Sequence, residues 1–214
     1  MSPAPLTLPA LLQLLARDAA DPRAARHLVR AGALTDLARR GLLVDHDGIA
    51  TPADLDSTTG DGVLDGLLEL VRESLPRRWR DWVTLYARTT TDAVREQLVA
   101  AGYVRAERRR ALGLFPSVEY VPDRAADVAA LREHARYLLD GPLPAGGASE
   151  DDAALVALAA AAGPRGVVPD GEDVRRRERR VQELTARAAA APGLGRVLPE
   201  LCAALASRPV PSLL

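Results

Sequence analysis

Lysine is absent from this chain: every one of its 28 basic residues is arginine. Guanidinium forks suit phosphate oxygens, although codon bias in a GC-rich genome yields the same pattern along with abundant Ala, Gly and Pro. Aromatic residues make up only 3% of the chain, so Leu, Val and Ala must fill its core. A lone cysteine, Cys202, excludes an intramolecular disulfide and fits a reducing compartment. It stands in the apolar run VLPELCAALA and reads as a small core residue. Long apolar runs are missing too. The longest, at 153–162, falls short of the roughly 20 residues that cross a bilayer. No basic segment precedes the first apolar run, so no secretory signal is expected. The expected location is cytoplasmic, with any membrane contact peripheral. A net charge of −1 argues against a general nucleic-acid binder.

Catalytic motifs are missing as well. His27, His46 and His134 are far apart and lack metal-ligand spacing. DHDG at 45–48 reads as a polar turn rather than a cation site. Gly146 and Gly147 are followed by no Lys of a phosphate loop, and no Ser lies in a nucleophile elbow. The expectation is a non-enzyme with no cofactor and no metal.

Helical periodicity is what the chain does have. In RHLVRAGALTDLARRG at 26–41, Leu28, Ala31, Leu34, Leu37 and Ala38 share one helical face. Asp36, Arg39 and Arg40 fall on the other, and Gly41 suits the C-cap. Residues 42–44 and 49–51 then read as a hairpin around the 45–48 turn. Upstream, Leu8, Leu11, Leu12 and Leu15 form a helix face with Thr7 as N-cap. Downstream, Val63, Leu64, Leu67, Leu68 and Val71 form another. Trp79, Trp82 and Tyr86 at i, i+3 and i+7 predict a helix over 77–88 with an aromatic core stripe. Residues 89–92 offer N-caps for the next helix. A second hairpin is expected with strands 103–105 and 110–115, its basic turn at 106–109. Helices follow at 125–139 and 153–162, the latter apolar on every side and so expected at the centre of the fold. The charged helix 174–191 reads as mostly solvated. The expected fold is mainly α: a single globular helical domain at 5–207 around a central apolar helix, with small β-hairpins, and a tail at 208–214.

GALTDLARRGLL resembles the signature of the Golgi phosphoprotein 3 family. LTLPALLQLLA at 6–16, GDGVLDGLLELVRES at 60–74, WVTLYAR at 82–88, LVAAGYV at 98–104 and ALGLFPSVEYVP at 111–122 are similar to further family segments in the same order. The resemblance covers nearly the whole chain. It implies a helical fold with a central helix and a peripheral membrane protein. Eukaryotic members bind phosphatidylinositol 4-phosphate at the Golgi and sort glycosyltransferases. The implied function is therefore recognition of phosphatidylinositol 4-phosphate or another anionic phospholipid head group, with an adaptor role for membrane proteins.

Aligning on GALTDLARRG places Arg30 at a basic position of the family's lipid pocket. Aligning back from LVAAG places Arg88 at another. The next family arginine falls on Thr91, and a one-turn gap brings Arg95 there instead. The family's pocket Trp falls near Asp21. The bland alternative is that Arg30 pairs with Asp36 or Glu96 and that Arg88 is simply solvated. The family hairpin serves membrane association and oligomerisation, which implicates Arg108, Arg109, Arg110, Leu112, Leu114 and Phe115 in a membrane or homo-oligomer contact. Coat-protein binding is not expected, because no basic N-terminal extension is present. A competing reading is a winged-helix-like protein or nucleic-acid interaction module, in which Arg39 and Arg40 reach phosphates. Net charge and the order of motifs weigh against it.

Overall fold

The helix α2 (Pro22–Arg39) carries the fold. Asp21 caps it by accepting the Arg23 N–H at 2.8 Å, and Pro22 takes the first turn, where no N–H is needed. From Leu28 to Ala38 the helix is buried on every side. Helix α1 (Leu8–Leu15) crosses it at Gly32, where a Cβ would lie 2.5 Å from a Leu12 methyl and 3.2 Å from the Pro9 backbone. The absent side chain is what lets the two helices approach so closely. The computed structural model describes residues 6–19, 21–111, 115–163 and 174–207, the side chains of 108–111, 115–117 and 174 excepted.

Strands β1 (Leu43–His46) and β2 (Ile49–Pro52) follow α2 as an antiparallel hairpin. Asp47 and Gly48 turn it with φ of 51° and 83°, the doubly left-handed turn that matches strand twist. Helix α3 (Gly62–Arg72) is capped by Asp61, which accepts from Val63 and Leu64. The short β3 (Arg77–Arg78) completes a sheet of order β1-β2-β3. Helices α4 (Trp79–Thr84) and α5 (Ala87–Ala100) lead to a longer hairpin, β4 (Val104–Ala111) with β5 (Phe115–Pro122). Helices α6 (Ala125–Asp140), α7 (Glu150–Ala161), α8 (Val174–Ala189) and α9 (Val197–Ala206) finish the chain. Among the described residues the fold is mainly α with two small antiparallel sheets.

Helix α7 occupies the expected centre. Ser149 caps it, three acidic residues complement its N-terminal dipole, and Ala153 through Ala159 are all buried. It packs against α1, α2, α6, α8 and α9. A second apolar cluster joins Ala10 and Leu14 of α1, Val29 of α2, Val94 and Leu98 of α5, and Val104 at the hairpin base. In the loop before α9, Gly193 has φ of 79°, and a Cβ there would lie 2.4 Å from the Ala38 carbonyl oxygen. A Gly193→Ala protein should therefore lose about 1–3 kcal/mol, from left-handed strain plus a backbone clash. A urea midpoint unchanged from the parent would show that the α2–α9 contact is not tight.

Several local expectations need correction. Asp36 is fully buried, not solvated. Its carboxylate accepts the Leu8 N–H at 3.3 Å, so it supplies the α1 N-terminus with the partner that Thr7 does not give. The same carboxylate holds Arg39 Nη2 at 3.2 Å and Arg40 Nε at 3.0 Å. The helix expected over 77–88 breaks after Thr84. Trp79 and Trp82 are in the core, but Tyr86 has φ of 52° and is 58% exposed. Because α5 starts at Ala87, residues 89–92 lie inside it and do not cap it. The second hairpin turns later than expected. The 106–109 segment is part of an eight-residue strand, with Ala106 opposite Tyr120 and Arg109 opposite Ser117. Helix α8 is only partly solvated. Its Arg180 donates to the Leu138 and Leu143 carbonyls, Arg177 pairs with Asp140, and Arg187 pairs with Glu150. Arg177 and Arg180 bind the carbonyls and the acid at and just after the end of α6, where the helix dipole favours cations, while Arg187 pairs with the first residue of α7.

Candidate functional site

Helix α5 carries two of the three arginines marked out by sequence. Arg88 Nε lies 3.3 Å from one oxygen of Asp92, and Arg95 Nη1 lies 3.4 Å from the other. Spacings of i+4 and i+3 put all three side chains on one helix face. One carboxylate between two guanidinium groups leaves a net positive surface. Arg88 is open to solvent, with its side chain 78% exposed, while Arg95 is at 28%. The Arg95 guanidinium also stands 5.4 Å from the centroid of the Tyr120 ring on β5. This cation–π contact joins the basic α5 face to the base of the long hairpin.

Arg30 sits elsewhere. It is 1% exposed, with Nε donating to the Trp82 carbonyl at 3.1 Å and Nη1 to the Thr90 hydroxyl at 2.6 Å. Its guanidinium lies 5.9 Å from the Trp82 ring centroid. Among the described residues, neither its buried Nη2 nor the buried Trp82 Nε1 has a hydrogen-bond partner. Neither Asp36 nor Glu96 compensates its charge: Asp36 is taken by α1, Arg39 and Arg40, and Glu96 faces solvent. Burial lowers the guanidinium to about 10, which still leaves it protonated at neutral pH. Two positions apart on a helix, Arg88 and Thr90 point to opposite sides of α5. The structure thus brings Arg88 and Arg95 together and places Arg30 beneath the helix.

The chain from residue 8 to residue 201 matches the model of the Golgi phosphoprotein 3 (GPP34) family. It belongs to the Golgi phosphoprotein 3 family. The match runs from the first residue of α1 into α9. A search of curated proteins finds no match. In this Golgi phosphoprotein 3-like module no helix among the described residues is long and apolar enough to cross a membrane.

Within that family frame, the hairpin residues divide. Arg108, Arg109 and Arg110 are strand residues of β4, and Phe115 begins β5, but their side chains lie outside the described residues. Leu112 and Leu114 lie outside them altogether. Among the described hairpin side chains, Val104 is buried against α5, while Val118 is 54% exposed. Sequence reasoning missed Asp92, Thr90 and Tyr120. Asp92 was detectable by helix spacing from Arg88 and Arg95. The other two depend on tertiary placement that no local pattern carries.

The geometry offers little to rival readings. A recognition helix must present a free face, yet α2 is enclosed. Arg39 and Arg40 are held by Asp36, and Arg39 is also paired with Asp151. Among the described residues, Ser149, Asp152 and His134 come nearest to a catalytic arrangement. Asp152 accepts the Ser149 hydroxyl at 2.8 Å and stands 3.0 Å from His134 Nε2, so the acid and not the imidazole partners the hydroxyl. That hydroxyl caps α7. Burial pushes the Cys202 thiol up to about 12, which keeps it protonated and unreactive.

Proposed function

We propose that this chain is a peripheral membrane module that recognises an anionic phospholipid head group on the α5 face. Arg88 and Arg95 make the direct phosphate contacts, and Arg30 adds an uncompensated positive charge one layer below. The observation that carries the reading is the Arg95–Tyr120 contact, which sets the basic pair beside the long hairpin. A basic face next to a hairpin suits a bilayer surface: the charges meet head groups, and the hairpin enters the interface or meets a second copy. Family membership supports a non-catalytic, lipid-binding role, with phosphatidylinositol 4-phosphate the first head group to test and an adaptor role for membrane proteins as its use.

Asp92 decides the sign of one test. It neutralises one of the two guanidinium groups, and each charge near an anionic surface is worth about 1 kcal/mol. An Asp92→Asn protein should therefore float with anionic vesicles about fivefold more tightly than the parent. The comparison uses phosphatidylcholine vesicles containing phosphatidylinositol 4-phosphate or phosphatidylserine, at low salt. Weaker or equal binding would mean that this face does not meet the membrane.

A further inference from the structure

A cleft of about 390 Å³ opens on another part of the molecule, between the β1–β2 turn, the β3–α4 junction and α9. Arg78 and Arg80 line one wall. Asp47 and Gly48 line it at the turn, and Glu200 on α9. Glu200, Ala203 and Ala204 of α9 and its C-cap Ser207 recur at i, i+3, i+4 and i+7, so one stripe of the helix and its end faces the cleft. Its small residues keep the floor open beside a single carboxylate.

The charges in this cleft are mixed yet unpaired. Among the described residues Arg78, Asp47 and Glu200 form no ion pair or side-chain hydrogen bond, and Arg80 has only Asp81, at 3.9 Å. The backbone beneath them is stiff. Trp79, between the two arginines, is fully buried. Its N–H donates to the Gly48 carbonyl at 3.3 Å, and its indole Nε1 donates to Asp45 at 2.8 Å. Arg78 itself lies opposite Ile49 in the β2–β3 ladder. The backbone that carries both arginines is therefore fixed relative to the turn, and their exposed guanidinium groups can reach into the cleft between them.

We infer that this cleft takes a small zwitterion of the phosphoethanolamine type, its phosphate on Arg78 and Arg80 and its ammonium on Glu200 and Asp47. Guanidinium forks match phosphate oxygens, and a primary ammonium brings N–H donors that two carboxylates can accept. A quaternary ammonium has no such donor, which separates phosphoethanolamine from phosphocholine. The ligand can be free or the head group of a phospholipid, and only the membrane-borne form rests on the reading proposed for the α5 face.

The test is an NMR titration of the full chain with O-phosphoethanolamine, following the Gly48 and Trp79 amides. Saturable shifts at those amides are expected. Arg78→Ala with Arg80→Ala, and separately Glu200→Gln, should each weaken binding about tenfold or more, and phosphocholine and inorganic phosphate should bind weaker than phosphoethanolamine by a similar factor. All three residues are at least partly solvent-exposed, so the variants should keep the parent's spectrum elsewhere. No saturable shift, or equal binding of inorganic phosphate, would overturn the inference. Flotation then separates the sources. Loss of phosphatidylethanolamine-dependent flotation in Glu200→Gln, with anionic-vesicle binding retained, supports the lipid form. Free phosphoethanolamine binding with no flotation on any vesicle supports a soluble ligand and removes the membrane reading alone.

Discussion

A Leu158→Asp protein is expected to lose most of its folding stability. Leu158 is fully buried in α7, and the helix around it is apolar from Ala153 to Ala159 with no basic side chain among them. An introduced carboxylate would be an unpaired charge in a packed interior, or would have to take up a proton to stay there. Stranding such a charge costs about 3–5 kcal/mol, and a domain's whole stability is about 5–15 kcal/mol. The measurement is urea unfolding followed by circular dichroism. A urea midpoint equal to the parent's would contradict the central position of α7.

Asp36→Ala is expected to have the next largest effect. One buried carboxylate joins three things: the first N–H of α1, and the Arg39 and Arg40 side chains at the end of α2. Both arginines are about one-third exposed and can turn to water, so the loss is smaller than for a fully buried pair. The Leu8 N–H has no such escape. Together these give a loss of about 2–3 kcal/mol, with the unfolding slope unchanged. A change within about 0.5 kcal/mol, the range of an ordinary surface substitution, would mean that the α1–α2 junction is held by packing alone.

The apolar stripes of α1, α2 and α3 and the all-apolar α7 were legible because burial imposes a helical period. The Asp47–Gly48 turn was legible because its left-handed backbone selects those residue types. Asp36 was misread for the opposite reason. Its place in the stripe looks solvent-facing, and only the start of α1, 28 residues away, explains its burial. The break at Tyr86 carries no Gly or Pro, so nothing in the local sequence marks the end of α4. The long hairpin hid its register because the charged run at 105–110 resembles a turn, whereas the ladder from Val104 to Ala111 absorbs it as strand.

The candidate site was legible in part. Motif order singled out Arg30, Arg88 and Arg95, and helix spacing explains why two of them share Asp92. Depth was not legible. Arg30 lies under α5 because α2 crosses beneath it and because Trp82 and Thr90 take up its hydrogen bonds. A sequence alignment records that an arginine stands at a position, not which side of a helix it reaches.

The most direct test of the membrane reading compares two double variants of equal charge in vesicle flotation. Arg88→Ala with Arg95→Ala removes the α5 pair. Arg175→Ala with Arg179→Ala removes two exposed arginines of α8. On phosphatidylinositol 4-phosphate vesicles at low salt, the first should bind about 30-fold more weakly, from roughly 1 kcal/mol per charge. The second should bind like the parent. Equal losses in both would reduce the effect to overall charge, and no loss in the first would contradict the site.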